Sequence, residues 1–176
     1  MMLLEDDYWY FLTAKGKSFY QRLMKHPHIA LTGIKGKDTL SAVAISLNGK
    51  VKNIGHDKWE DIFINNPYMN QIYTPELRDV LEVFQVYECK GEYFDLSRKP
   101  IYRQSFTVGM TIENEGYIIT DKCINCQKCY DICPQKCIHL SSQSFMIEQH
   151  HCLHCGKCQE VCPVHAIIKR GGENEK

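Results

Sequence analysis

The sequence predicts an α+β protein made of a small, strongly curved β structure followed by a cysteine-rich repeat. Two observations lead to this fold class. Between Tyr8 and Val108 the predicted elements run as a strand, a helix and several further strands with one helical insertion. Nine of the ten cysteines lie at or after Cys123, so the two parts of the chain differ sharply in composition.

The chain begins with a predicted strand, a glycine-containing turn and a helix. The aromatic segment Tyr8–Leu12 is β-prone and has the length of a buried strand. We expect the helix to begin at Ser18, because Gln21 follows it at the spacing of a capping box. Pro27 then ends the helix, since the residue before a proline disfavours helical geometry.

Two lysines flank the predicted start of this helix. The backbone amides and the positive end of the helix dipole converge there with the ammonium groups of Lys15 and Lys17. Such a combination can bind a phosphate group. A capped surface helix with two solvated lysines explains the same residues, and short motifs of this kind have many false positives. Both interpretations stay open at this point.

The remaining elements of the first part follow from alternation and from turn residues. The dipeptides Asn48-Gly49 and Lys90-Gly91 each predict the turn of a β-hairpin, and the stretch from Pro67 to Arg78 is irregular or briefly helical. The predicted elements are a strand at His28–Ile34, a hairpin of Thr39–Leu47 and Lys50–Ile54, a helix at Trp59–Ile64 capped by Asp57, a hairpin of Val80–Cys89 and Glu92–Leu96, and a strand at Ile101–Val108.

Two cysteine runs in the second part share one spacing, and each is closed by a proline. They are Cys123, Cys126, Cys129, Cys133 with Pro134, and Cys152, Cys155, Cys158, Cys162 with Pro163. This is the spacing of bacterial ferredoxins with two [4Fe–4S] clusters, in which the fourth cysteine of each run serves the other cluster. We therefore assign one cluster to Cys123, Cys126, Cys129 and Cys162, and its partner to Cys152, Cys155, Cys158 and Cys133.

Zinc and disulfides explain these cysteines less well. Two CxxC pairs can hold a structural zinc, but such a site takes four ligands and leaves the third and fourth cysteines of each run without a use. A disulfide framework belongs to secreted proteins, whereas the chain starts with the acidic segment Met-Met-Leu-Leu-Glu-Asp-Asp, unlike the basic start of a signal peptide. Iron–sulfur ligation is the interpretation that uses all eight cysteines.

The cysteine-rich part contains an internal repeat. Cys152 follows Cys123 by 29 residues, and Ala166 follows Cys137 by the same 29. We predict two copies of one unit (strand, cluster loop, short helix, strand) about a pseudo-twofold axis, with helices near Lys128–Ile132 and Lys157–Val161. Because both clusters already have four cysteines, Cys137 is interpreted as a buried packing thiol. His151 and His154 are likewise interpreted as groups beside the clusters, since no cysteine is missing.

The charge composition excludes several classes of partner. Lys plus Arg and Asp plus Glu both number 21, so there is no basic excess to indicate nucleic acid or an acidic membrane surface. No apolar run approaches the ~20 residues that a membrane-spanning helix needs. We expect a cytoplasmic protein in a reducing cell, such as that of an anaerobe, with a redox protein as its partner.

Three segments of the first part resemble one known family, the pyridoxamine-phosphate-oxidase-like family of FMN-binding split barrels. They are Tyr10–Leu23, Asn66-Pro67-Tyr68-Met69 and Val83–Val86. The likeness covers about Tyr8 to Val108. It implies a split β-barrel-like fold, a homodimer formed through the barrel, and bound FMN. Carried onto this sequence, it implies phosphate contacts from Thr13, Lys15, Lys17 and Ser18, with Gln21 beside them.

The likeness is to a family member shortened at its N-terminus, because only seven residues precede Tyr8. Family members have a helix and a hairpin there, and the hairpin contributes flavin contacts. Either the start codon is misplaced, or the barrel is shortened and part of the flavin site is lost or rebuilt by a partner. The predicted organisation is a split-barrel-like FMN domain at 1–108, a linker at 109–115, a ferredoxin-type domain with two [4Fe–4S] clusters at 116–170, and a disordered tail at 171–176.

The predicted function is electron transfer between two [4Fe–4S] clusters and a bound FMN, toward a substrate or a redox partner. The protein is then either an FMN-dependent oxidoreductase or an electron carrier, and the ligands alone leave the direction of flow open. The alternative is a flavin-free ferredoxin adaptor, whose barrel is a dimerisation or docking module for a larger oxidoreductase. A deazaflavin or haem in the barrel, as related split barrels can hold, ranks third. No residue pattern indicates a catalytic acid or base.

Overall fold

The computed structural model describes residues 2–111, 115–141 and 144–170. The elements of the first part are the strands β1 (Met2–Glu5), β2 (Tyr8–Ala14), β3 (His28–Lys35), β4 (Val43–Gly55), β5 (Leu81–Asp95) and β6 (Tyr102–Val108), and the helices α1 (Ser18–Lys25), α2 (Trp59–Asn65) and α3 (Met69–Ile72). The elements of the cysteine-rich part are β7 (Gly116–Ile119), α4 (Lys128–Ile132), β8 (Ile138–Ser141), β9 (Ser144–Ile147), α5 (Lys157–Glu160) and β10 (Ile167–Arg170). Short 3₁₀ turns lie at Thr39–Ser41, Pro75–Val80 and Gln149–His151. The predicted mixture of helices and strands is confirmed.

Six strands form one sheet, in the order β1-β2-β5-β4-β3, with β6 also paired to β5. The sequence prediction missed β1, which pairs with β2 in an antiparallel hairpin that sets Glu5 opposite Tyr8. Asp6 and Asp7 join the two strands with φ angles of 49° and 65°. Two left-handed residues in succession form the turn that best matches the twist of paired strands.

Both predicted hairpins are wrong, because β4 and β5 each run straight through the expected turn. Gly49 lies in extended backbone, and a side chain there would collide with Cys89 and with the carbonyl oxygen of Glu88 on the neighbouring strand. The glycine therefore permits close approach of β5 to β4. Close approach of another backbone is a common reason for glycine inside a strand.

The strand–turn–helix at the start of the chain is confirmed as β2 and α1, but its predicted cap is not. The N-cap residue of α1 is Lys17, and it makes no capping hydrogen bond through its side chain. Lys58, with a left-handed φ of 65°, replaces the predicted Asp57 as the N-cap of α2. The capping patterns in the sequence therefore do not predict the N-cap residues of α1 and α2. The preceding turn sets the backbone conformation at the cap, and this conformation decides which residue occupies that position.

The cysteine-rich part contains two small antiparallel sheets. β7 pairs with β10, and β8 pairs with β9, so the first strand of each repeat pairs with the last strand of the other. The predicted order of strand, loop, short helix and strand is present twice. The pseudo-twofold axis itself stays a prediction.

The contacts divide the chain into two units that do not follow chain order. Among the described residues, the first contains 2–32, 46–91 and 107–111, and the second contains 33–45, 92–106, 115–141 and 144–170. The core of the first unit includes Leu12, Ile62, Met69 and Val83, and cysteines with Ile138 and Ile167 form much of the core of the second. The predicted linker lies partly, and the predicted tail wholly, outside the described residues. The predicted domain boundaries stay a prediction.

The helices of the described residues include none that is long and apolar enough to cross a membrane.

Candidate metal centre

The second unit contains two cavities of similar size, and each is lined by four of the eight predicted ligand cysteines. The cavity we call site I has a volume of about 330 Å³ and is lined by Cys123, Cys126, Cys129 and Cys162. The cavity we call site II has a volume of about 350 Å³ and is lined by Cys133, Cys152, Cys155 and Cys158. In each cavity the fourth cysteine comes from the other run, which is the grouping that the spacing predicts.

The two cysteine loops have the same unusual backbone. Each loop has three residues with left-handed φ angles. Each of these residues has a counterpart in the other loop, 29 residues away, which is the length of the repeat. The pairs are Asn125 with His154, Gln127 with Gly156, and Lys136 with His165. Left-handed residues turn the chain sharply. The loops can therefore direct successive thiols to one cavity although only two residues separate them.

Short helices and apolar strands complete each site. The buried Cys129 and Cys158 lie on α4 and α5. Pro134 and Pro163 follow the fourth cysteine of each run, where the helices have ended. The strands contribute apolar walls: Ile119, Phe145 and Ile167 at site I, and Tyr117, Ile138 and Ile147 at site II. Such walls restrict the access of water to the sulfurs.

The residues fit [4Fe–4S] clusters in number and type. All ten cysteines lie within the described residues and are free thiols, eight of them at the two sites. Soft thiolate ligands in sets of four are those of iron–sulfur clusters. Within residues 2–111, 115–141 and 144–170, no three His, Cys, Asp or Glu side chains are arranged around the position of one metal ion. The four cysteines of a cubane stand farther apart, because they surround a cage of iron and sulfide.

Backbone and side-chain donors lie close to the ligand sulfurs. At site I the amide of Ala166 donates to Sγ of Cys162 at 3.2 Å. At site II the Cys137 Sγ lies 3.6 Å from Sγ of Cys133. Its hydrogen bond to Cys152, together with burial, raises the pKa of Cys137, and the same bond lowers the pKa of Cys152. Cys133 and Cys152 would bind iron as thiolates, so Cys137 is the thiol that can then donate a hydrogen bond to them. As predicted, it is buried, and only 4% of it is exposed.

Arg103 is a buried cation beside site II that sequence reasoning missed. Its Nη1 donates to the ring of His154, 2.7 Å from Nε2, and its Nη2 donates to the carboxylate of Glu92. Burial first, and then Arg103, lowers the pKa of His154. His151 instead lies with Nδ1 2.9 Å from the carbonyl oxygen of Ile101. No local signal marks Arg103 as part of a site, because 51 residues separate it from His154.

The residues implied as phosphate contacts lie together at the end of β2 and the start of α1, but two of them have other roles. Thr13 is buried in β2 opposite Glu82 of β5. The Nζ of Lys15 lies 3.1 Å from Oε1 of that same Glu82. Lys17 and Ser18 occupy the N-cap and the first position of the helix. A phosphate at this helix start would therefore compete with Glu82 for Lys15.

The comparisons with known proteins agree with the cysteine geometry. Residues 116–169 match the sequence model of the family described as a 4Fe-4S dicluster domain. No curated protein matches the chain significantly. Among solved structures, a NimC/NimA family protein from Clostridium acetobutylicum is 14% identical and aligns with a TM-score of 0.48 over 61% of this chain and 71% of that chain. The second part of this chain, residues 116–169, is therefore similar to a 4Fe-4S dicluster domain.

Proposed function

We propose that this protein is an electron carrier that holds two [4Fe–4S] clusters at sites I and II. The observation that carries the proposal is the presence of two cavities, each lined by three cysteines of one run and the fourth cysteine of the other. [4Fe–4S] clusters, when bound, exchange single electrons. The ligands are Cys123, Cys126, Cys129 and Cys162 at site I, and Cys152, Cys155, Cys158 and Cys133 at site II.

The exposure of the ligands supports exchange with a partner protein. Cys126 and Cys155, which are related by the repeat, are the exposed cysteine of each site, whereas Cys129 and Cys158 are buried. Each site therefore has one exposed corner, and at site I Cys123 and Cys162 are partly exposed as well. A redox protein that docks at these exposed corners, in the cytoplasm of a reducing cell, is the partner we propose.

The finer proposal is that the chain also binds FMN, which exchanges both one and two electrons. Its support is the confirmed sequence of strand, turn and helix at β2 and α1, with Lys15 and Lys17 beside the helix start. In this proposal Thr13, Lys15, Lys17 and Ser18 hold the phosphate, the first part is a split barrel, and two copies of the chain form a dimer through it.

A specific contact favours the second candidate, a flavin-free adaptor that connects the clusters to a larger oxidoreductase. The ion pair of Lys15 with Glu82 occupies one of the two ammonium groups that the phosphate would need. Thr13 is 4% exposed, so its side chain offers little to a ligand at the surface.

Iron, sulfide and acid-released flavin, measured on protein purified without oxygen, test these proposals together. We expect about eight iron and eight sulfide per chain, four for each cluster. About one FMN per chain would support the flavin proposal, and no FMN after reconstitution with excess cofactor would contradict it and favour the adaptor. Tightly bound zinc, with no sulfide, would overturn the cluster proposal itself.

A further inference from the structure

The two sites have many surroundings in common. Lys128 lines site I and Lys157 lines site II at the equivalent position of the repeat. Asp131 on α4 and Glu160 on α5 also occupy equivalent positions. Because these charges come in matched pairs, they cannot make the two sites different.

The position of Cys137 does distinguish the sites. Its equivalent in the repeat is Ala166, which is fully buried at site I and has no side-chain donor. The Cys137 thiol contacts two ligand sulfurs of site II, those of Cys133 and Cys152. Site II thus has a side-chain hydrogen-bond donor at a place where site I has a methyl group.

Arg103 is a second difference between the two sites, and like the Cys137 donor it stabilises negative charge at site II. Arg103 is 8% exposed, and its guanidinium hydrogen-bonds to His154, which lies between Cys152 and Cys155 in the loop of site II. Glu92 accepts a hydrogen bond from Arg103 and partly offsets its charge, but Glu92 is 38% exposed and so is better screened by water.

We propose that Cys137 sets the reduction potential of the cluster at site II, by donating its thiol hydrogen to the ligand sulfurs of Cys133 and Cys152 and so raising that potential. This inference rests on the proposed binding of two clusters. Arg103 acts in the same direction.

The physical reason is the charge of the reduced state. Reduction adds one negative charge to a cluster, and hydrogen bonds to its sulfurs and nearby cations stabilise that charge. Burial opposes reduction, since it removes water from the sulfurs, and site II has three buried ligands whereas site I has one. Cys137 and Arg103 therefore offset the burial of site II.

The repeat provides a matched pair of variants for the test. In Cys137→Ala the residue matches its counterpart at site I, and in Ala166→Cys a thiol is placed at the equivalent position of site I. The midpoint potentials of both clusters are measured by a redox titration followed by electron paramagnetic resonance, on protein whose iron content has been checked. Cys137→Ser, which keeps a donor, is the control for loss of packing.

We expect Cys137→Ala to lower one of the two midpoints and to leave the other unchanged. The expected size is about tenfold in the ratio of oxidised to reduced cluster, or about 59 mV for a one-electron couple. Ala166→Cys should raise the other midpoint, and Cys137→Ser should stay nearer to the wild type than Cys137→Ala. Arg103→Gln should lower the same midpoint as Cys137→Ala.

Different outcomes separate the two proposals. A wild-type protein without two clusters would overturn the proposed function, and this is read from iron and sulfide alone. Two clusters whose midpoints are unchanged in Cys137→Ala, or equally lowered in Cys137→Ser, would overturn the role of the Cys137 donor. If Cys137→Ala fails to fold, Ala166→Cys still decides, because an unchanged midpoint at site I would contradict the proposal.

Discussion

At the scale of single residues, Glu82 shows how a carboxylate can be held by side chains that are distant in sequence. Tyr20 donates to its Oε2 at 2.6 Å, Asn53 donates to the same oxygen, and Lys15 pairs with Oε1. The hydrogen bonds from Asn53 and then from Tyr20 lower the pKa of Glu82 to about 2. This network makes Lys15 part of the first unit's structure, whether or not it also contacts a phosphate.

The lowered pKa of Glu82 predicts a pH-dependent contribution to stability. Its folded pKa lies below the ordinary value of 4.5, so the ionised form stabilises the fold above about pH 4.5, and this contribution is lost as the pH falls toward 2. We expect Glu82→Gln to lower the free energy of unfolding by about 1–2 kcal/mol at pH 7 and by much less at pH 3.

Urea unfolding at both pH values, followed by tryptophan fluorescence, measures this effect, since Trp9 and Trp59 both belong to the first unit. Asp79→Asn, at an exposed carboxylate, is the control. An equal loss of stability at pH 7 and pH 3 in Glu82→Gln would contradict an electrostatic role for Glu82.

At the scale of secondary-structure elements, Gly49 explains why β4 continues where the sequence suggests a turn. The two adjacent strands approach too closely at this point for any side chain to fit between Gly49 and Cys89. We expect Gly49→Ala to lower the free energy of unfolding by about 1–3 kcal/mol, as overpacking of a core does.

Gly16→Ala is the matched control, because a Cβ at that glycine would meet no atom within 4 Å. Thermal unfolding of both variants checks the prediction. If Gly49→Ala were as stable as Gly16→Ala, the close approach of the strands would not be the reason for the glycine.

In the cysteine loops, in contrast to Gly49, the elements predicted from the sequence agree with the structure. Their spacing predicted both the grouping of the cysteines and the positions of α4 and α5, and the paired left-handed residues give a physical reason for the agreement. A loop with only two residues between thiols has few ways to bring three of them to one cavity. Short covalent connections therefore restrict the geometry more strongly than hydrophobic patterns do.

At the scale of the whole molecule, the exchange of fourth cysteines makes each site depend on both runs. We expect Cys126→Ser to remove the cluster at site I and to leave the cluster at site II, so that iron per chain falls to about half. Cys155→Ser, its equivalent in the repeat, should instead remove the cluster at site II.

Iron analysis and electron paramagnetic resonance of the two variants check this prediction, and Cys89→Ala, a change outside both ligand sets, should keep both clusters. Loss of both clusters in Cys126→Ser, with Cys155→Ser retaining one, would contradict the independence of the two sites.

Local sequence by itself predicted the grouping of the eight cysteines at two cavities, the repeat of 29 residues in the sequence and the strand–turn–helix of β2 and α1. These features depend on residues that are neighbours along the chain. Local sequence could not determine the pairing of β1 with β2 or the continuity of β4 and β5. Dipeptides such as Asn48-Gly49 occur both in turns and in closely approaching strands, and only the neighbouring strand distinguishes these cases.

Only the tertiary structure placed the Cys137 thiol against Cys152 of the other run and the Glu82 carboxylate against Tyr20, which is 62 residues away. It also brought Arg103 to His154 from 51 residues away. Contacts of this kind depend on strand register and on how elements pack, and neither is encoded in local residue spacing. The sequence therefore determined which residues can hold the clusters, and the tertiary structure decided which residues surround them.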